Sequence, residues 1–265
     1  MSQVTPAAPE ATSKSALNQT RTRILPPLVL LGVLVAAWWI GADLIDSAVF
    51  PTPVESVSTL GKELADSGFR ESVGSTVLNL VIAYALAVVI GGVLGLLVGL
   101  SGFWSRTLSP LIFSLNSIPK IVLYPIFLLF LGLGALSQVS FAFFQGLLPM
   151  FLIMLEGSAA VNRLHLKLAA SLQMSYPALL RKIVVPQLVP TLLTAMRVTF
   201  GLTFVGLILA EMFAGTTGLG FELLRNVTQV RMANILGEVL LITVIALIPT
   251  VALKYFELRA KASAR

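Results

Sequence analysis

Six apolar runs alternate with short polar connections along the chain, at about 25–42, 77–100, 111–131, 137–155, 188–209 and 235–253. Each is close to the ~20 residues that cross a hydrocarbon core as a helix. The first is short and extends toward Ile45 if Asp43 is tolerated. The pattern predicts an all-α, polytopic membrane protein with six transmembrane helices. It divides into a disordered tail at 1–24, a single transmembrane domain at 25–260 and a second tail at 261–265. The first apolar run starts late, with no small-residue cleavage pattern after it, so no cleavable signal peptide is expected. Gly91, Gly95 and Gly99 fall on one helix face at i, i+4 and i+8, a spacing that lets backbones approach closely. This face is read first as packing within the subunit and second as a dimer seam. Pro119 and Pro125 flank Lys120 and predict a break in the third run. Broken backbone at membrane depth is tolerated where it is buried or lines a cavity, and both readings stay open.

One connection departs from the pattern. From Arg163 to Pro186 the chain is long, basic and helix-like in composition, with prolines at Pro177 and Pro186 expected to end the helix because they lack the N–H to continue it. A connection of this kind suits the docking of a soluble partner.

Composition sharpens the assignment. Hydrophobic residues make up 57% of the 265, charged residues 11%, and the mean hydropathy is +0.93. A water-soluble domain could not cover that much apolar surface. With no cysteine, disulfides and thiolate metal sites are excluded. The net charge of +6 does not point to nucleic acid, because the bases sit in short connections between apolar runs. With the N-terminus placed in the cytoplasm, twelve bases lie on the inner side, and four on the outer side (Lys62, Arg70, Arg225 and Arg231). That bias puts both termini and the 163–186 connection in the cytoplasm. No G-x-x-x-x-G-K-[ST] loop is present, and the glycine-rich Gly215–Gly220 lacks the lysine, so nothing here cradles ATP phosphates. No cofactor is expected. Work would draw on an ion gradient or on another subunit.

The connection is similar to the coupling loop of permease subunits of binding-protein-dependent ABC importers. That pattern runs E-A-A, three residues, G, nine residues, I, one residue, L-P. In register this chain has Lys167-Leu168-Ala169, Gln173, Ile183 and Val185-Pro186. It departs at Lys167, Leu168 and Gln173, where glutamate, alanine and glycine stand in the family. Glycine there permits a sharp turn, and glutamine takes a positive φ less cheaply. Further segments resemble the nitrate/sulfonate/taurine-type permeases, in family order. These are Phe50-Pro-Thr-Pro53, Ile118-Pro-Lys120 through Pro125, Phe130 to Gly134, Met196-Arg-Val198, Ala210-Glu-Met212 and Gly218-Leu-Gly220. The resemblance covers about 25–260. It implies the type I ABC importer permease fold, a second permease copy in a homodimer or heterodimer, separate ATPase subunits that bind the ATP, and an extracytoplasmic solute-binding protein. It also implies ATPase coupling through Lys167, Leu168, Ala169, Ala170, Gln173, Met174, Tyr176, Pro177 and Pro186.

Ionisable groups at membrane depth are costly and therefore informative. They are Lys120, Glu156, Arg197, Glu211 and Glu238. Lys120, Arg197 and Glu211 are the candidates for translocation path or gate. Arg197 either faces an anionic solute or holds a carbonyl or carboxylate; Glu211 either gates the outer mouth or reaches interfacial water. Two other classes compete. An intramembrane protease at Gly99-Leu-Ser-Gly102 would need a histidine at the same depth, and the single histidine, His165, is in the connection. A gradient-driven transporter would need midplane ion ligands and often inverted repeats, neither of which is visible.

Overall fold

The computed structural model describes residues 29–45, 50–161 and 171–263. Described residues form helices and turns, with no strand among them. The apolar helix α1 (Val29–Ile45) is followed by α2 (Pro53–Ala65), an amphipathic helix whose start is dictated locally. The Thr52 hydroxyl accepts from the Glu55 N–H at 3.3 Å, and the Thr52 N–H donates back to Glu55 Oε2 at 2.9 Å. This reciprocal cap satisfies two orphan donors, with Pro53 in the first turn, where its missing N–H costs nothing. Asp66 then caps α3 (Ser67–Leu100) by accepting from Phe69 N–H at 3.0 Å.

The remaining elements are α4 (Gly102–Ser117), α5 (Lys120–Leu131), α6 (Ala135–Ala159), α7 (Pro177–Ala214), α8 (Leu219–Thr228) and α9 (Met232–Ser263). Four of them, α3, α6, α7 and α9, are long and apolar enough to cross a membrane, and α4 with α5 makes a fifth if the bent pair counts as one span. α1 is a shorter apolar helix. Where described, the six expected runs fall on helix apart from the break at 118–119, but six full-length spans are not what the lengths establish. The helices also overrun the apolar runs: α3 starts at Ser67 rather than near 77, and α7 occupies 177–214 rather than 188–209. A helix persists for as long as caps and contacts support it, whereas hydropathy marks only the part fit for hydrocarbon.

The proline expectations divide. α4 and α5 meet at 84°, as the third run predicted. Pro119 is the cause: the residue before it, Ile118, is extended (φ −70°, ψ 133°), as the clash with the proline ring requires. Pro125 does not break anything, because it sits in the first turn of the Tyr124–Leu131 segment. Pro186 is a correction too. It lies inside α7 and does not end it. One π-turn at Leu180–Val184 widens the helix just before Pro186, and such a turn absorbs the missing N–H and the ring's clash with the preceding carbonyl. Pro177 opens α7 rather than closing a preceding helix.

α6 is the axis of the bundle: 61% of its most apolar stretch is buried, against 39% for α7, 28% for α3 and 11% for α9. The glycine face packs α3 onto it, within the chain. A Cβ at Gly95 would stand 2.5 Å from the Phe151 carbonyl oxygen, and one at Gly99 2.4 Å from that of Leu155. A second π-turn, at Ala87–Gly91, lies where α3 meets α6. α2 and α8 pack together with the starts of α3 and α9 at one end, here termed the cap end. The 160–176 connection leaves from the opposite, connection end.

Candidate functional site

At the connection end, Lys167, Leu168, Ala169 and Ala170 lie outside the described residues. Described positions resume at Ser171. Gln173, where the family pattern has glycine, adopts φ 51° and is exposed. The backbone thus takes the left-handed conformation that glycine serves, with a glutamine in it. Met174 is half-buried. The Leu179 N–H donates to the Ser175 carbonyl at 2.9 Å, which starts the turn through Tyr176 and Pro177. Pro177 and Pro186 are exposed, as are Arg181 and Lys182. Beneath them Val184 and Leu188 pack against Met150 and Met154 of α6.

Near the middle of α7, Arg197 holds a carboxylate on α9. Its Nε lies 3.1 Å from Glu257 Oε2 on α9, and Lys261 Nζ lies 2.5 Å from the other oxygen of Glu257. Of the two readings for Arg197, the structure carries the carboxylate-holding one. Tyr84 adds a second tie, donating from its hydroxyl to the Met196 carbonyl at 3.2 Å.

At the cap end Glu211 is fully buried. Its carboxylate accepts from the Thr76 hydroxyl at 2.9 Å and from the Gly220 N–H at 2.9 Å. Thr76 in turn accepts from the Leu219 N–H at 2.8 Å. One carboxylate and one hydroxyl therefore fasten the start of α8 to α3 and α7, and they satisfy two N–H groups that a helix start leaves orphaned. The glycines of the turn follow from this. Gly218 has φ 112° and ψ 161°, a conformation close to glycine-only, and a Cβ there would sit 2.5 Å from the Glu211 carboxyl carbon. A Cβ on Gly220 would sit 2.3 Å from the Ile208 carbonyl oxygen.

A layer of carboxylates surrounds this knot. The Ser72 hydroxyl donates to Glu222 Oε1 at 3.0 Å, and Arg225 pairs with the same carboxylate. Asn226 Nδ2 donates to Glu238 Oε1 at 2.7 Å, and Asn234 Nδ2 to Glu63 Oε1 at 2.5 Å. Burial pushes the Glu63 carboxyl above the ordinary range; the Asn234 bond opposes this, and the nearby Glu222 charge adds to it. Glu156 is exposed near the end of α6. No metal-binding cluster occurs among the described residues.

Lys120 sits at the α4–α5 break, half-buried, and donates to Asn116 Oδ1 at 3.0 Å and to the Asn116 carbonyl at 3.3 Å. Lys120, Arg197 and Glu211, the three candidates for path or gate, each hold separate partners and are not brought together. Thr76, Asn116, Asn226 and Glu257, which hold the buried charges, were missed. The signal available was a polar residue inside, or at the end of, an apolar helix; its partner lies far off in sequence.

The family model described as "Binding-protein-dependent transport system inner membrane component" matches residues 87–260. The chain is 29% identical to an aliphatic sulfonates transport permease protein, SsuC, of Bacillus subtilis, over 74% of this chain and 72% of that one. It is 26% identical to the formylaminopyrimidine transport permease protein ThiX of Halalkalibacterium halodurans, over 88% and 93% of the two chains. It is 25% identical to the taurine transport system permease protein TauC of Escherichia coli, over 86% of each.

Proposed function

The chain belongs to the family of binding-protein-dependent transport system inner membrane components, as the transmembrane subunit of an ABC importer, and on that premise we propose how it is built into its machine. It is a multi-pass inner membrane protein whose partners, as for the family in general, are an ABC ATPase and a solute-binding protein. In our reading both termini face the cytoplasm, ATP is bound and hydrolysed on the separate ATPase subunits, and two permease copies enclose the path. The copies are identical, or the second is a related chain carrying the standard coupling loop. The cargo is a small solute of the sulfonate, taurine, nitrate or related organic class. It is delivered from the binding protein at the cap end.

The ATPase contact is the segment from Lys167 to Pro186, with Lys167, Leu168, Ala169, Ala170, Gln173, Met174, Tyr176 and Pro177 at its centre. The observation that carries this reading is Gln173: a glutamine held at φ 51° at the register position of the family glycine keeps the turn while changing the residue. A turn retained at a conformational cost favours a specialised contact over a decayed one. Closing the ATPase dimer would draw this segment toward its copy and tilt α7. Lys120, Arg197 and Glu211 are then assigned to the path and its gates in distinct ways. Lys120 meets the path, while Arg197 and Glu211 hold α7 to α9 and to α3 and α8, so that the ends move as units.

The test is a coupled assay on the full transporter in proteoliposomes. Lys167→Glu, or a proline placed at Ala170, should leave the complex able to hydrolyse ATP while solute uptake falls at least ten-fold. Uptake equal to that of the unaltered chain would remove the docking assignment.

A further inference from the structure

We propose that Lys120 is a specificity-determining residue: its ammonium group meets the anionic oxygens of a sulfonate or similar monoanionic solute at the bent α4–α5 junction. The inference rests on the importer reading above and adds the residue that selects an anionic cargo over a neutral one.

Three observations carry it. The first is placement. Lys120 lies at the 84° junction of α4 and α5, in the middle of the only run among the described residues where two apolar helices meet at a sharp bend. A backbone opened at that depth is stable where it is buried or borders a hydrated cavity. Lys120 is half-buried, with Ile118 and Pro119 exposed beside it.

The second is the polar track that leads to it. Ser105, Ser109 and Asn116 are spaced four and seven residues apart, which puts them within roughly 40° of one another around α4. Lys120 follows Asn116 by four and reaches back to it. This is the covered side of α4: Ser105 is buried and Ser109 and Asn116 are half-buried, while Phe103, Trp104 and Phe113 are exposed. The polar residues therefore face the protein, where α4 lies along α6, and the apolar ones face outward. A lysine escaping toward headgroups would lie along the outward side.

The third is charge. An ammonium at membrane depth is expensive unless it is paired. Arg197, the other base inside the six apolar runs, is neutralised by Glu257. Lys120 takes part in none of the ion pairs among the described residues, and both its hydrogen bonds go to the uncharged Asn116. Two of its three donors are aimed by Asn116, and the third has no partner there. A positive charge held in place by neutral acceptors and lacking a counter-ion is suited to a transient anion. A permanent carboxylate partner would cancel it. A sulfonate or nitrate oxygen accepts one such N–H and supplies the missing charge. A neutral solute gains only a hydrogen bond.

Because the chain has no cysteine, Lys120→Cys introduces a single thiol to it, and the charge can then be rebuilt chemically. The complete transporter, with thiol-free partner subunits, is reconstituted in vesicles, and ATP-driven uptake of ethanesulfonate, nitrate and formylaminopyrimidine is measured. Anion uptake by Lys120→Cys should fall at least ten-fold and return to within about three-fold after reaction with 2-aminoethyl methanethiosulfonate, which restores an ammonium. The anionic 2-sulfonatoethyl reagent should not restore it, and Lys120→Arg should keep most of the anion uptake. The inference is overturned by anion uptake at full rate in unmodified Lys120→Cys, by no rescue with the cationic reagent, or by equal rescue with both. Uptake of formylaminopyrimidine alone by the unaltered transporter also overturns it, and leaves the importer reading intact. Uptake that proceeds without ATP hydrolysis would instead remove the importer reading itself.

Discussion

α7 is anchored at its cap end and near its middle by opposite chemistry. At the cap end a single buried carboxylate, Glu211, is gripped by neutral donors, the Thr76 hydroxyl and the Gly220 N–H, in a turn where glycines leave no room for a Cβ. Near the middle of the helix the carboxylate is Glu257. It is gripped by two cations, Arg197 and Lys261, whose own side chains stay one-third and one-half exposed. The first anchor is short-range and directional, and it fixes backbone. The second is longer-range, and its long side chains can keep contact while the helices shift. The contrast teaches that one carboxylate at the tip of a transmembrane helix and another at its middle can serve rigidity in one place and adaptability in the other.

The largest expected effect breaks the cap-end anchor. Glu211→Ala strands the buried Thr76 hydroxyl and Gly220 N–H, at a cost of about 3 kcal/mol. Gly218→Ala should cost about 1–3 kcal/mol through its φ of 112° alone, before its Cβ meets the carboxylate. Both would appear as a lowered unfolding midpoint in detergent and as faster amide exchange in α8. A midpoint equal to that of the unaltered protein would mean the knot is not an anchor.

The mid-helix anchor should yield less. Arg197→Ala leaves Glu257 paired with Lys261, so about 1 kcal/mol is expected, shrinking as salt screens the remaining pair. The discriminating measurement is the salt dependence of the midpoint. It should weaken for Arg197→Ala and remain as in the unaltered protein for Glu211→Ala. Equal salt sensitivity in the two variants would erase the distinction between the anchors.

The smallest effect concerns pH at the cap end. Glu63 is raised by burial, so its protonated form is the one the fold prefers. Its contribution is full below the unfolded-state value and is lost as pH rises through the folded one. The α2 layer should therefore loosen toward alkaline pH, with exchange of α2 amides, corrected for intrinsic rates, rising with it. Glu63→Gln should flatten that rise; a rise that persists undiminished would assign the effect to another group.

The sequence exposed whatever physics writes locally. The Pro119 break follows from two neighbouring residues and the Gly91–Gly95–Gly99 face from one helix's periodicity; the Thr52–Glu55 cap is as local, a matter of four residues, yet was passed over. Pro186 misled because proline's local rule, to end a helix, was met by a π-turn whose support is tertiary: Val184 and Leu188 are packed against α6. The partners of the charged groups were illegible for the same reason. Thr76 stands 135 positions from Glu211, and Glu257 stands 60 from Arg197. Each looks ordinary until the helices are laid side by side. The coupling residues Lys167 to Ala170 were named from the family register alone and lie outside the described residues.

The length of α7 has a mechanical consequence. Its 38 residues make a rod of about 57 Å, almost twice the ~30 Å of hydrocarbon it must cross. Pinned beside Glu211, such a rod works as a lever with its fulcrum near one tip. A tilt of about 10° sweeps the opposite tip through roughly 10 Å and barely disturbs the pinned turn. The π-turn at Leu180–Val184 sits close to the swinging tip, where a wrist would be. A push delivered at the connection is thereby spread over the whole length of the helix, while the surface around α8 keeps its shape for whatever rests against it.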